Sequence, residues 1–135
     1  MDIKRGDLIY VDLGQHPNSS IQSGKRPCVV ISCNKCNVHA PTITICPLST
    51  KCEKRFIKTH VEISVKDVDG YLSRKSIVFV EQVCTIDKRK IDSKIGHLKV
   101  TSKVLRQIEQ AICVHLDINY EEIVADLYSK GAMDC

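Results

Sequence analysis

Tryptophan is absent from the chain, and two phenylalanines and four tyrosines are its only large aromatics. Proteins that bind single strands by stacking bases need aromatic faces spread over a surface. Tyr10, Phe56, Tyr71, Phe79, Tyr120 and Tyr128 mostly fall in runs that read as core, so a stacking platform is disfavoured. No apolar run approaches the ~18 residues of a membrane span, and Met1-Asp2-Ile3-Lys4-Arg5-Gly6-Asp7 lacks the apolar centre of a signal peptide. A cytoplasmic chain without membrane contact is expected. Carboxylates are scattered: Asp67-Val68-Asp69 is the one Asp-x-Asp pair, and it reads as a turn. Metal-dependent nucleases gather carboxylates around their ions, so that class is disfavoured. One cysteine pair, Cys33-Asn34-Lys35-Cys36, has metal-like spacing, but structural zinc needs a second pair and none exists. No metal site and no cofactor are expected.

What is present fits one domain, since 135 residues bury a core but divide poorly into two. The eight cysteines (28, 33, 36, 46, 52, 84, 113 and 135) lie mostly inside apolar runs such as Pro27-Cys28-Val29-Val30-Ile31. In a cytosolic protein they stay thiols and act as small core hydrophobes. The net charge of +4 is uneven: residues 117–135 hold five acids (Asp117, Glu121, Glu122, Asp126, Asp134) against Lys130, so the tail carries −4 and residues 1–116 carry +8. A basic body suits a polyanion, because neutralising phosphates releases counterions, although many basic proteins bind no nucleic acid.

Leu8 to Leu13 alternates and stops at Gly14, predicting a first strand. The polar stretch from Gln15 to Lys25 is too long for a tight hairpin, and connections of that length are usually functional. Pro27–Cys33, Thr42–Leu48, Thr59–Val65 and Ser76–Cys84 are further apolar, β-branched runs. Five strands in about 85 residues predict a small, strongly curved antiparallel sheet or barrel. The period then changes. After a cap at Thr101 or Ser102, Val104, Leu105, Ile108, Ala111, Ile112, His115 and Leu116 recur at helical spacing, predicting about four turns packed on the sheet. A second helix is predicted from Asn119, with Glu122 in capping-box position, an apolar face of Tyr120, Ile123, Val124 and Leu127, and Gly131 as its stop.

Cleaving RNA through its own 2′-hydroxyl requires proton transfers and donors that hold the phosphate as charge builds; a metal is not obligatory. Arg26 stands where the long loop enters an apolar strand, and Pro27 biases it to an extended backbone. A solvated surface charge explains Arg26 and Lys25 equally well at this level. Ser49-Thr50 at a strand end offers hydroxyls to a phosphate oxygen, or merely terminates the strand. Glu81-Gln82 interrupts an apolar run, as an edge that can read a base or as a polar outward face. His16, His39, His60, His97 and His115 show no diagnostic spacing; His115 falls on the helical stripe, and His60 faces opposite Val61 and so can be exposed.

Five ordered segments together resemble the MazF (PemK, Kid) toxin family: Lys4-Arg5-Gly6-Asp7; Ser20-x-Gln22-x-Gly24-x-Arg26-Pro27 followed by Val29-Val30-Ile31; Pro41-Thr42-x-x-Ile45 running into Pro47-Leu48-Ser49-Thr50; Thr59-His60-Val61-Glu62-Ile63; and Val80-Glu81-Gln82-Val83-x-Thr85-Ile86-Asp87-Lys88. The resemblance spans Lys4 to about Leu116. It implies an α+β, mainly β fold: an SH3-like antiparallel barrel with a C-terminal helix in residues 1–116, to which residues 117–135 add an acidic helical appendage. It further implies a homodimer whose interface groove takes single-stranded messenger RNA or a cognate antitoxin, with cleavage leaving a 2′,3′-cyclic phosphate and a 5′-hydroxyl. Residue by residue, the match makes Arg26 the principal catalytic group and Ser49 the phosphate-stabilising hydroxyl, with RNA contacts at Gln82 and in the loop from Gly14 to Lys25, including Ser20, Gln22 and Lys25. Thr50 joins the RNA-binding set, because the family usually has threonine where Ser49 stands. Ile21 likewise replaces a residue that is often acidic. The expected function is therefore a metal-independent endoribonuclease of a type II toxin–antitoxin system, an mRNA interferase. The rivals are a CcdB-like gyrase poison on a similar barrel, and an inactive RNA-binding module.

Overall fold

The computed structural model describes residues 1–51 and 57–131; Cys52, Phe56, Asp134 and Cys135 lie outside them. The first strand, β1 (Asp7–Asp12), pairs antiparallel with β2 (Lys25–Val30), which pairs antiparallel with β3 (Thr42–Ser49). β3 is long enough to serve two partners. Its first half pairs with β7 (Cys84–Asp87) and its last two residues with β6 (Ser76–Phe79), which carries β4 (His60–Ile63) on its other edge. On the far side β1 pairs with β8 (Ile91–Leu98), and β8 with the short β5 (Val68–Gly70). Every pairing is antiparallel, and the sheet curls into the half-barrel that the curved-sheet reading anticipated.

Strand alternation divides the apolar side chains between two cores. Ile9, Val11, Cys28, Val30, Ile43 and Ile45 fill one concave face of β1, β2 and β3. Their sequence neighbours Leu8, Val29, Cys46 and Leu48 point the other way, joining Val61, Ile63, Val78 and the C-terminal helix α2 (Val104–His115). Val104, Ile108 and Ala111 are the buried stripe of α2, flanked by Leu105 and Ile112. The N-cap is Lys103 rather than the expected Thr101 or Ser102; Ser102 Oγ accepts the Val104 N–H and donates to Asp67 Oδ1, which ties the helix start to the chain before β5. At twelve residues, or about three and a third turns, α2 is a little shorter than the spacing predicts, and His115, expected on the packed stripe, is exposed.

Five strands were expected and eight are present among the described residues. The run Ser76–Cys84 is broken by a 3₁₀ turn at Val80–Gln82, which separates β6 from β7. β8 escapes periodicity because of its eight residues only Leu98 is buried; its backbone ladder to β1 holds it, with register shifts at Leu8/Ile9 and Tyr10/Val11. Asp67-Val68-Asp69 is a turn only in part, since Val68 opens β5. Gly70 makes that pairing possible: it has φ +134°, and a Cβ there would lie 2.3 Å from the Ile95 carbonyl oxygen. A short helix, α1 (Asn34–His39), follows β2 where no helical period is visible. Side-chain placement also corrects two expectations. Of the described cysteines only Cys28 and Cys46 are buried, while Cys33, Cys36 and Cys84 are exposed. Among the aromatics, Tyr71, Tyr120 and Tyr128 are exposed rather than core.

The final helix, α3 (Tyr120–Ser129), forms as predicted: Asn119 Oδ1 accepts the Glu122 N–H and Gly131 ends it with φ +64°. None of its residues is buried, and Tyr120, Ile123 and Tyr128 face solvent.

Candidate active site

The strand register brings the two principal candidates together. In the β2–β3 ladder Cys28 lies opposite Pro47 and Val30 opposite Ile45, and beyond it the Arg26 side chain reaches the carbonyl of Leu48, the residue before Ser49. The Arg26 guanidinium is half-buried and anchored by backbone: Nε donates to Ser23 O at 3.1 Å and Nη1 to Leu48 O at 3.2 Å. Its remaining N–H groups are left for a ligand, and the fork is charged at any working pH. Ser49 is 8 % exposed, and its Oγ accepts the Lys51 N–H at 3.2 Å, which leaves the hydroxyl proton to donate. Thr50 follows the end of β3 and is exposed, without the strand backbone that fixes Ser49.

Gln82, Gln22 and Ser20 form a second group. From the 3₁₀ turn after β6, the Gln82 amide spans to the long β1–β2 connection: Oε1 accepts the Gln22 N–H at 2.6 Å and Nε2 donates to Ser20 O at 3.1 Å. The base of this connection is closed by Gly24 N–H to Gly14 O and Leu13 N–H to Gly24 O, with both glycines at positive φ. Loop and turn thus enclose a groove of about 490 Å³ floored by Pro47, Thr85 and Ile86 and walled by Gln22, Glu81 and Gln82. Both functional groups of the Gln82 amide are already engaged, so in this state it positions the loop.

Lys25 points away from Arg26, as its strand neighbour must. It pairs with Asp92 at 3.2 Å, and that hydrogen bond raises the pKa of its ammonium. Reading the sequence missed the partnership of His60 and Glu81. They are 21 residues apart in the chain, and the β4–β6 pairing brings His60 Nε2 to 2.8 Å from Glu81 Oε1. His60, expected to be exposed, instead stacks on Phe79 with ring centroids 4.5 Å apart. Glu81 Oε2 is buried and has no hydrogen-bond partner among the described residues, a placement that costs free energy unless a ligand or water supplies a donor. No local spacing signals this pair. The described residues contain no cluster of three or more His, Cys, Asp or Glu able to hold a metal ion.

A comparison with protein-family models matches residues 4–116 to the family described as PemK-like, MazF-like toxin of type II toxin-antitoxin system. Endoribonuclease EndoA of Bacillus subtilis is 34 % identical over 116 residues, covering 86 % of this chain and 96 % of that protein. Among solved structures, MazF from Deinococcus radiodurans superposes with a TM-score of 0.70 at 16 % identity, covering 87 % of this chain and 99 % of that one. A mycobacterial endoribonuclease in complex with its cognate antitoxin gives 0.69 at 21 % identity, with coverages of 87 % and 98 %.

Proposed function

The chain belongs to the PemK-like, MazF-like toxin family of type II toxin–antitoxin systems, and from that premise we propose that it is a sequence-specific endoribonuclease that cuts single-stranded messenger RNA without a metal ion. The observation that carries the chemistry is the Arg26 guanidinium braced on the carbonyl of Leu48, the residue before Ser49, where β2 starts and β3 ends. Groups held by sheet backbone need no reorganisation as charge develops, which is what makes preorganised donors effective. In the proposed reaction the 2′-oxygen bonds to phosphorus and the bond to the 5′-oxygen breaks. One proton leaves the 2′-hydroxyl and one reaches the departing oxygen. Arg26 polarises the phosphate during both transfers and Ser49 donates to a non-bridging oxygen. The products are a 2′,3′-cyclic phosphate and a 5′-hydroxyl.

Gln22, Ser20 and Gln82 are read as the groove wall that contacts bases next to the scissile bond, with Thr50 and Lys25 as outer contacts. A cytoplasmic homodimer regulated by a cognate antitoxin completes the reading. It draws support from the antitoxin present with the mycobacterial relative and from the lack of any described helix long and apolar enough to cross a membrane. Residues 117–135 are proposed as a separable acidic appendage that modulates access to the groove; α3 carries no buried residue. The deciding experiment incubates purified protein with a long natural RNA in EDTA, maps the ends by primer extension, and runs a gyrase supercoiling assay in parallel. Discrete cuts that persist in EDTA are expected. Cleavage abolished by EDTA and restored by magnesium would remove the mechanism, and gyrase inhibition with intact RNA would favour the CcdB-like alternative.

A further inference from the structure

Cys33 and Cys36 take no part in the site above, yet they are arranged for chemistry. Cys33 caps α1, its Sγ accepting the Cys36 N–H at 3.4 Å, and the two Sγ atoms stand 3.0 Å apart. Both residues are exposed. The helix that carries them is fixed to the sheet through the buried Asn37: Nδ2 donates to Ser32 O, Ser32 Oγ donates to Asn37 Oδ1, and Thr44 N–H donates to Ser32 Oγ. Lys88 Nζ donates to the Asn37 carbonyl, and Arg5 N–H to Asn34 Oδ1. The sulfurs are therefore held close by a rigid element.

We propose that Cys33 and Cys36 are a redox-active dithiol that closes to an intrachain disulfide by exchange with a small-molecule disulfide of the glutathione type. The Cys33 thiolate attacks one sulfur of that disulfide, giving a mixed disulfide and releasing one small thiol. Cys36, as thiolate, then attacks the Cys33 sulfur and releases the second small thiol. The dithiol loses two electrons, the small disulfide gains them, and the two protein protons end on the released thiols. Hydrogen bonds from the Cys36 thiol and backbone N–H lower the pKa of Cys33, which makes it the attacking sulfur, while the same pairing raises that of Cys36. The thiols of Cys28, Cys46 and Cys84 are unsuited to this role. Desolvation pushes Cys28 up, Cys46 up to about 12, and Cys84 up as well. Among the described residues no third His, Cys, Asp or Glu joins the pair in a group able to hold a metal ion.

The test equilibrates the full chain in buffers of graded oxidised-to-reduced glutathione ratio, quenches with acid, alkylates free thiols, and maps tryptic peptides. Cleavage after Lys35 separates the two cysteines, so the halves stay joined only through a disulfide. The expected result is a joined peptide pair in which Cys33 and Cys36 are unlabelled while Cys28 and Cys46 of the same peptides are labelled, its fraction rising with the ratio and returning to zero on reduction. Cys33→Ser keeps a helix-capping oxygen, so it should fold as judged by circular dichroism, and its Cys36 should carry at most bound glutathione. Cys36→Ser should trap Cys33 as the mixed disulfide. If both sulfurs stay labelled at ratios where Cys84 is already modified, or if either pairs with a different cysteine or a second chain, the proposal fails.

Discussion

Arg26 spends two of its N–H groups on backbone carbonyls, and these bonds decide what its substitutions should do. Lysine offers a point charge without the planar fork, so Arg26→Lys loses both the anchoring geometry and the bidentate grip on phosphate. Its single-turnover cleavage rate should be nearly as low as that of Arg26→Ala. Ser49→Ala removes one preorganised donor and should cost about 3–4 kcal/mol, roughly 10²–10³ in rate, while Ser49→Thr keeps the hydroxyl and should be tolerated. Thr50→Ala should change little, because Thr50 is exposed and lies beyond the strand. An inactive Thr50→Ala beside an active Ser49→Ala would show that the donor is the other hydroxyl. Gln82 supports the loop through two hydrogen bonds to its backbone. Gln82→Ala should leave the melting temperature almost unchanged but speed limited proteolysis near Ser19–Ser20 and raise the KM for RNA. If protease resistance is unaltered, the amide does not hold the loop.

At the scale of elements, the two C-terminal helices make opposite predictions. Ile108 of α2 is fully buried in the core that joins helix to sheet, so Ile108→Ala should lose about 2–5 kcal/mol through lost transfer energy and a cavity. For a domain of this size that is a fall of roughly 10 °C or more in Tm. Helix α3 buries nothing, so deleting residues 118–135 should leave the circular dichroism of the barrel and its Tm nearly intact, with cleavage not greatly reduced. An unfolded truncation would place α3 in the core of the assembly and move the domain boundary. Tyr120, Ile123 and Tyr128 leave apolar surface of α3 exposed. Comparing the oligomeric state of the full and truncated chains by light scattering therefore shows whether a second copy is what they meet.

For the whole molecule, charge sets the expected behaviour toward RNA. The basic +8 of residues 1–116 against the −4 of the tail should make binding salt-dependent, with a log–log slope of about −0.7 per phosphate contacted on a single strand. The slope is measured by titrating RNA binding to an Arg26→Ala variant, which avoids turnover, across a range of sodium chloride. A flat response would mean that the basic body is not the RNA surface. Removing residues 118–135 takes away −3 of the tail's −4, so it should tighten binding at low salt and converge with the full chain at high salt, where the Debye length shrinks below the span of the contact.

Legibility in the sequence follows from how local each physical signal is. β1, β2, β3, α2 and α3 were readable because apolar alternation, helical spacing and capping residues are written within a few positions, and Arg26-Pro27 and Ser49-Thr50 marked strand ends directly. β8 was not readable, since a strand held by its backbone ladder with one buried side chain has no hydrophobic period to show. The six-residue α1 was hidden for a similar reason, being capped by a cysteine and fixed by the single buried Asn37. Only the tertiary structure brought Arg26 to the Leu48 carbonyl beside Ser49, joined Gln82 to Gln22 across 60 residues, and gave His60 its carboxylate. Those relations depend on strand register and on where β3 changes partners. Register is fixed by contacts distant in the chain, so residue types and short spacings could name the candidates but could not place them against one another.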